Sequence, residues 1–233
     1  MHVADLVYPP VVGVMKTLWK TLGLKFDFQG QEHLPDTSHG GAVLAMNHIS
    51  YLDFALVGTA ALPMKRYVRF MAKKEIFNNK FAGPLMRGMH HISVDRSNGS
   101  ASLVAALRAL RDGEIIGIFP EGTISVSFEI KELKSGAVRL AQGAGVPVIP
   151  TIIWGSQRLW TKKVKRNLWQ RKIPISVTFG EPIYFDKNSD VEAGEAILRQ
   201  AMVALLHEIQ EKYPDSHQGQ RWAPVRLGGT APA

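Results

Sequence analysis

The chain is predicted to be an α/β protein, with one domain built on a central, mostly parallel sheet flanked by helices and preceded by an N-terminal amphipathic helical segment. Three observations predict this. Short apolar, strand-like runs alternate with stretches of helical periodicity from about residue 24 onward. No internal repeat, low-complexity segment or linker interrupts that alternation. With 233 residues, 45% of them hydrophobic and 21% charged, the chain can bury one substantial core.

The elements follow in order. Residues 1–23 set Val11, Val12, Val14, Met15, Leu18, Trp19 and Leu22 near Lys16 and Lys20, the pattern of a membrane-associating interfacial helix. A helix docked on the core would show the same pattern, so both readings are open. The segment lacks a basic signal-peptide start, and Pro9-Pro10 interrupts its apolar run. No run approaches the roughly 20 apolar residues that a spanning helix needs.

The domain proper is expected over 24–213. Strands are predicted at Lys25–Phe28, Ala42–Met46, Tyr67–Met71, Ile92–Val94, Ile115–Phe119, Val146–Ile153 and Ile175–Phe179. Helices are predicted at Tyr51–Leu62, stopped by Pro63, and at Ala101–Asp112, with Gly113 as its cap. Two more are expected at Ser135–Gly143 and Val191–Tyr213, the latter with Leu198, Met202, Leu205 and Ile209 on one face. Residues 214–233 read as an irregular, Gly/Pro-rich tail.

The absence of cysteine excludes disulfides and thiolate metal sites, and a reducing compartment fits. The net charge of +8 implies an anionic partner. Seven of the basic residues fall in 158–172, a stretch without an acid: Arg158, Lys162, Lys163, Lys165, Arg166, Arg171 and Lys172. A nucleic-acid domain spreads its basic residues over a larger face, so no nucleic-acid partner is expected.

Candidate chemistry sits just after predicted strands, where open α/β sheets bind ligands. In Asn47-His48-Ile49-Ser50-Tyr51-Leu52-Asp53, His48 and Asp53 are five residues apart. On one continuous helix they would diverge by about 140°. With His48 in a loop and Asp53 in the first helical turn, the imidazole can fold back onto the carboxylate. That pairing fixes the tautomer and leaves the other nitrogen free to take a proton. Ser50-x-x-Asp53 is equally a helix-start capping pair. In Phe119-Pro120-Glu121-Gly122-Thr123, a carboxylate, a glycine and a hydroxyl can form a polar turn for phosphate or a sugar hydroxyl, or an ordinary turn. After Ile92–Val94, Arg96 offers a planar fork to phosphate, or pairs with Asp95. Val146-Pro147-Val148-Ile149-Pro150 reads as a pocket wall.

Together and in this order, the segments resemble the glycerolipid acyltransferase family that includes the 1-acylglycerol-3-phosphate acyltransferases. NHISYLD is similar to its His-x4-Asp block, GMHHISVDR to its second, FPEGT to its third and VPVIP to its fourth. AKKEIF and LKSGAVRLA resemble segments between blocks, and the likeness runs from about residue 30 to 185. The resemblance implies that His48 is the general base, that Asp53 orients it, and that the acceptor hydroxyl attacks an acyl thioester directly. A direct attack suits a chain with no cysteine and no Gly-x-Ser-x-Gly elbow. It further implies that Arg96, Glu121, Gly122, Thr123 and, more weakly, Lys74 position the substrate phosphate. The donor is acyl-CoA or acyl-carrier-protein and the acceptor is lysophosphatidate, with no metal or bound cofactor.

The third block departs from the pattern: Ile124 stands where an arginine is common, so one cation is missing. His90 and His91 also stand where small or apolar residues are common, and neither is assigned a catalytic role. The missing cation keeps another lysophospholipid or lipid alcohol open as acceptor. A non-catalytic lipid- or nucleic-acid-binding role is the reading from another class.

Lipid substrates imply an anionic membrane surface as partner and a peripheral or monotopic place on the cytoplasmic face of the cell membrane. Trp154, Trp160 and Trp169 interleave with the basic stretch 158–172 in a way that suits the headgroup region. A solvated basic loop, or a dock for an acidic donor, are the alternatives.

Overall fold

A computed structural model gives the structure of the chain and describes residues 4–36, 40–95, 97 and 99–232. It begins with helix α1 (Ala4–Leu22) and strand β1 (Lys25–Gln29), followed by β2 (Ala42–Met46) and α2 (Asp53–Ala61). Strand β3 (Val68–Lys73) runs directly into α3 (Lys74–Phe77), then α4 (Ala82–Gly88) and β4 (Ile92–Val94). Helix α5 (Ser100–Arg111), β5 (Ile115–Ile118), α6 (Gly136–Ala144), β6 (Val148–Trp154), β7 (Pro174–Phe179) and α7 (Val191–Lys212) complete the order.

The seven strands form one sheet in the order β1-β7-β6-β2-β5-β3-β4. Every neighbouring pair is parallel except β6 with β7. Strand β2 is the pivot. The chain leaves it toward β3 and β4 on one side, returns to insert β5 beside it, and then crosses to β6 on its other side. The crevice beyond the carboxyl ends of β2 and β5 is therefore the topological switch point.

The composition of β2 follows from this position. Both faces of a central parallel strand are covered, so its residues are apolar without alternation. All five are buried. Val43 and Ala45 face a core shared with α5, α6 and α7, while Ala42, Leu44 and Met46 face one shared with α1 and α2. Gly117 on β5 lets β3 come close, since a Cβ there would meet the Phe70 ring at 2.7 Å.

Several expectations differ in detail. Helix α1 continues through Pro9 and Pro10, which lie inside it. It is held from outside: the Tyr8 hydroxyl donates to the Val68 carbonyl at 2.5 Å, and Trp19 Nε1 donates to Thr59 Oγ1 at 3.1 Å. Tertiary contacts thus replace helix hydrogen bonds that proline cannot make. Helices α3 and α4 carry no strong periodic signal in the sequence and were not expected. Trp154 does not belong to a headgroup-facing set, because it lies wholly buried on β6. Arg158 is also withdrawn from the basic surface: its guanidinium pairs with Asp215 at 2.5 Å and stacks on Trp222 at 4.5 Å. The tail beyond α7 holds one 3-10 turn at Val225–Leu227 and packs on the domain through Ala223 and Trp222. Among the described residues, no helix is long and apolar enough to cross a membrane.

Candidate active site

The loop after β2 carries His48, and α2 begins at Asp53. His48 Nδ1 lies 3.0 Å from Asp53 Oδ2. The same oxygen accepts the backbone N–H groups of Ile49 and Ser50, both at 2.8 Å. One carboxylate therefore contacts the imidazole and also ties down the loop that precedes α2, whose N-cap is Leu52 with no side-chain cap, so Ser50 and Asp53 do not form a reciprocal capping pair. Asp53 Oδ1 accepts the Ser156 hydroxyl at 2.7 Å, and Asp53 is completely buried. A carboxylate accepts and does not donate, so Nδ1 carries the proton and Nε2 is left for an acceptor hydroxyl. The imidazole stacks on Phe119, with centroids 4.0 Å apart, and is partly exposed.

The loop backbone is pinned on both sides. Asn47 extends the β2–β6 ladder with its amide, donating to the Ile153 carbonyl at 3.0 Å and accepting the Ile153 N–H at 2.8 Å. The His48 carbonyl accepts Ser125 N–H at 2.7 Å. The His48 N–H donates to Glu121 Oε1 at 2.9 Å, and Lys131 N–H donates to Glu121 Oε2 at 3.2 Å. Glu121 thus joins the loop after β2 to the segment following β5. Burial pushes its carboxyl up to about 7, against the pull of those N–H donors and of Lys131. The Thr161 hydroxyl donates to the Ile49 carbonyl at 2.5 Å, and Ser50 Oγ donates to the Trp160 carbonyl at 2.7 Å.

The polar turn after β5 has Gly122 at φ +71, a left-handed conformation that favours glycine. Thr123 accepts Lys131 Nζ at its hydroxyl (2.5 Å) and at its carbonyl (3.2 Å). Lys134 lies over the turn, where a Cβ on Gly122 would meet its Nζ at 3.3 Å. Ile124 itself is buried. Two lysines of the following segment, Lys131 and Lys134, thus lie against this turn. Lys74 is exposed and paired with Asp95 at 2.9 Å, and Asp95 also accepts from Ser97. Arg96 lies outside the described residues. His91 is buried, accepts the Phe70 N–H at 3.2 Å, and has its pKa lowered by burial and Arg69 to about 4, which makes it a neutral part of the core.

The structure thus gathers His48, Asp53, Glu121, Gly122 and Thr123 beyond the carboxyl ends of β2 and β5. Sequence reasoning missed Ser156, Asn47, Lys131 and Lys134 as site residues. Ser156 is 103 residues from Asp53, and no local pattern signals that pairing.

A buried carboxylate thus contacts a partly exposed histidine at the switch point of an α/β sheet. A family model described as Acyltransferase matches residues 25–154. The 1-acyl-sn-glycerol-3-phosphate acyltransferase of Bacillus subtilis is 33% identical over 187 residues, covering 78% of this chain and 86% of that protein. That of Limnanthes alba is 30% identical over 190 residues, covering 77% of this chain and 61% of that longer protein. The chain belongs to the acyltransferase family and is an enzyme of that class. The crystal structure of PlsC from Thermotoga maritima, a 1-acyl-sn-glycerophosphate acyltransferase, shares the fold with a TM-score of 0.69 at 22% identity, covering 88% of this chain and 82% of that one.

Proposed function

We propose that the enzyme transfers a fatty acyl group from acyl-CoA or acyl-carrier-protein to the free hydroxyl of lysophosphatidate, giving phosphatidate for phospholipid synthesis. The observation that carries this is the His48–Asp53 pair, with Asp53 saturated by four donors and Nε2 left to the acceptor. In the proposed step His48 Nε2 takes the hydroxyl proton as the oxygen attacks the thioester carbonyl. The C–S bond breaks, and the departing thiolate takes the proton back from the imidazolium. Asp53 stabilises the imidazolium in between.

Arg96, Gly122, Thr123 and, more weakly, Lys74 are assigned to the acceptor phosphate. Lys131 and Lys134 join them and offset the missing cation at position 124. Glu121, with both oxygens on backbone N–H groups, serves this set by holding the His48 loop. The relatives named for 1-acylglycerol-3-phosphate support this acceptor. The peripheral or monotopic seat on the cytoplasmic face is assigned to α1 and to the exposed cations Lys162, Lys163, Lys165, Arg166, Arg171 and Lys172, with Trp169 at 82% exposure.

An acceptor panel tests the reading. Purified enzyme with palmitoyl-CoA, or with palmitoyl-carrier-protein, is offered lysophosphatidate, lysophosphatidylglycerol and a long-chain alcohol in mixed micelles. Preference for lysophosphatidate supports the proposal. Equal turnover of the uncharged alcohol contradicts the phosphate assignment.

A further inference from the structure

We propose that the hairpin formed by α3 and α4, tipped by Phe81, is a wedge that inserts into the surface of a bilayer containing anionic lipid. The proposal rests on the lipid-substrate reading for its choice of partner.

The hairpin presents Phe81 at 79% exposure, with Ile76 and Leu85 also exposed. These side chains sit on a rigid frame. Phe77 is buried beneath them. Asn79 Oδ1 accepts the N–H groups of Phe81 at 2.9 Å and Ala82 at 3.0 Å, and the Gly83 N–H donates to the Asn79 carbonyl at 2.8 Å. The Arg87 guanidinium bonds the Phe77 carbonyl at 2.7 Å. Gly83 lets the two helices meet, since a Cβ there would stand 2.2 Å from that same carbonyl. An apolar tip held this firmly out of the core is a built feature, not a frayed loop.

Three observations select a bilayer as the occupant. Phe81 stands 79% exposed at the turn between the two helices, which suits insertion into a deformable apolar phase. It carries a cationic collar: Lys73 and Lys80 are exposed around it, and Lys80 Nζ lies 5.2 Å from the Phe81 ring centroid. Over residues 73–88 the only acid is Glu75. An aromatic residue flanked by lysines matches the headgroup boundary. Finally, α3 leaves the carboxyl end of β3, and β3, β5 and β2 are parallel. The wedge therefore sits at the same edge of the sheet as His48, where a lipid acceptor must arrive. Helix α1 packs beside α4 through Val7, close to Gly88, and exposes Val14 and Leu18.

Because the chain has no cysteine, a single Phe81→Cys site can be labelled with nitrobenzoxadiazole. Tyr184→Cys is the control. Tyr184 is 74% exposed and follows Ile183, which bridges Val148 at the opposite end of the sheet. With phosphatidylcholine vesicles containing 30% phosphatidylglycerol as about the lipid mix, the label at 81 should brighten and shift to the blue, and the label at 184 should not. In parallel, unlabelled Phe81→Ser/Leu85→Ser should sediment with the vesicles about tenfold less than wild type. Its turnover of a short-chain lysophosphatidate dissolved as monomers should be unchanged. An unresponsive label at 81 on protein that still sediments would overturn the wedge, as would failure of the wild type to sediment. A blue shift that grows with protein concentration without lipid would replace the bilayer by a second copy of the chain. If the wild type turns over no lysophosphatidate at all, the acceptor assignment fails, and the label at 81 still decides the wedge.

Discussion

The loop carrying His48 and the hairpin carrying Phe81 leave the same edge of one sheet, yet they are built on opposite terms. In the first, the polar groups that shape the loop are partnered inside the protein, and His48 Nε2 is left open. Asp53 accepts four donors, and Asn47 continues a strand ladder. In the second, the backbone is as firmly held, but the side chains it presents have no protein to cover them. The difference teaches where the molecule is complete and where it expects something else. A base must be fixed before its substrate arrives, whereas an insertion element is finished only by the phase it enters.

Predictions that break or sharpen this comparison run from large effects to small. Asp53→Asn can keep an amide oxygen at the Oδ2 place for the three N–H donors and turn its NH2 to the Ser156 hydroxyl, but it removes the charge that stabilises the imidazolium. It should lower turnover by about 10²–10⁴-fold and also lower the melting temperature, because hydrogen bonds to a charged acceptor, at about 1.5–3 kcal/mol each, become weaker neutral ones. Retained turnover would show that the loop does not depend on this carboxylate. Ser156→Ala removes one bond to the same carboxylate. A fall in kcat of about tenfold is expected with KM unchanged, since hydrogen bonds to charged groups contribute about 1.5–3 kcal/mol. A change in KM alone would place Ser156 in substrate binding instead.

Glu121 gives a pH signature with two opposed parts. Its folded pKa of about 7 lies above the ordinary 4.5. The folded state therefore holds a proton that the unfolded state releases, so stability is greatest below about pH 4.5 and falls through about pH 7, by on the order of 3 kcal/mol from this group. Activity should move the other way. Only the ionised carboxylate accepts the N–H groups of both His48 and Lys131, so turnover should rise through about pH 7. Melting curves and pH–rate profiles of Glu121→Gln check both parts: the stability slope should flatten and the variant should stay at the low-activity end. An unchanged slope would remove Glu121 as its source.

Membrane-binding effects separate the wedge from the basic stretch. Replacing Lys162, Lys163, Lys165 and Arg166 by Gln should abolish binding to anionic vesicles at low salt, with a loss that shrinks as salt screens the wild type. The Phe81→Ser/Leu85→Ser loss should persist at high salt, because apolar insertion is not screened. Identical salt dependence for the two variants would mean that only one kind of contact is present.

Much of the fold was legible in the sequence because its strands are short apolar runs beside strong punctuation. Ala42–Met46 and Ile92–Val94 are strands over those same residues, and Gly113 at φ +81 follows α5 as its cap. Helices α3 and α4 were not legible. At four and seven residues, with Gly83-Pro84 inside the second, they are too short to show a period, and tertiary contacts at Phe77 and Arg87 hold them. The site divided in the same way. The pairing of His48 with Asp53 is local, so its spacing hinted at it. Ser156 reaches Asp53 only because β6 lies beside β2, and sequence spacing carries no trace of that neighbourhood. Trp154 misled for a related reason: composition shows an aromatic near cations, while β6 is covered on both faces and puts it in the core.

The most direct test of the account is transfer of labelled palmitoyl from palmitoyl-CoA to lysophosphatidate in mixed micelles, wild type beside His48→Ala, with folding of both verified by melting. The account predicts phosphatidate from the wild type and a rate lower by about 10²–10⁴-fold in the variant. Equal rates from two folded proteins would contradict it and take His48 out of the mechanism.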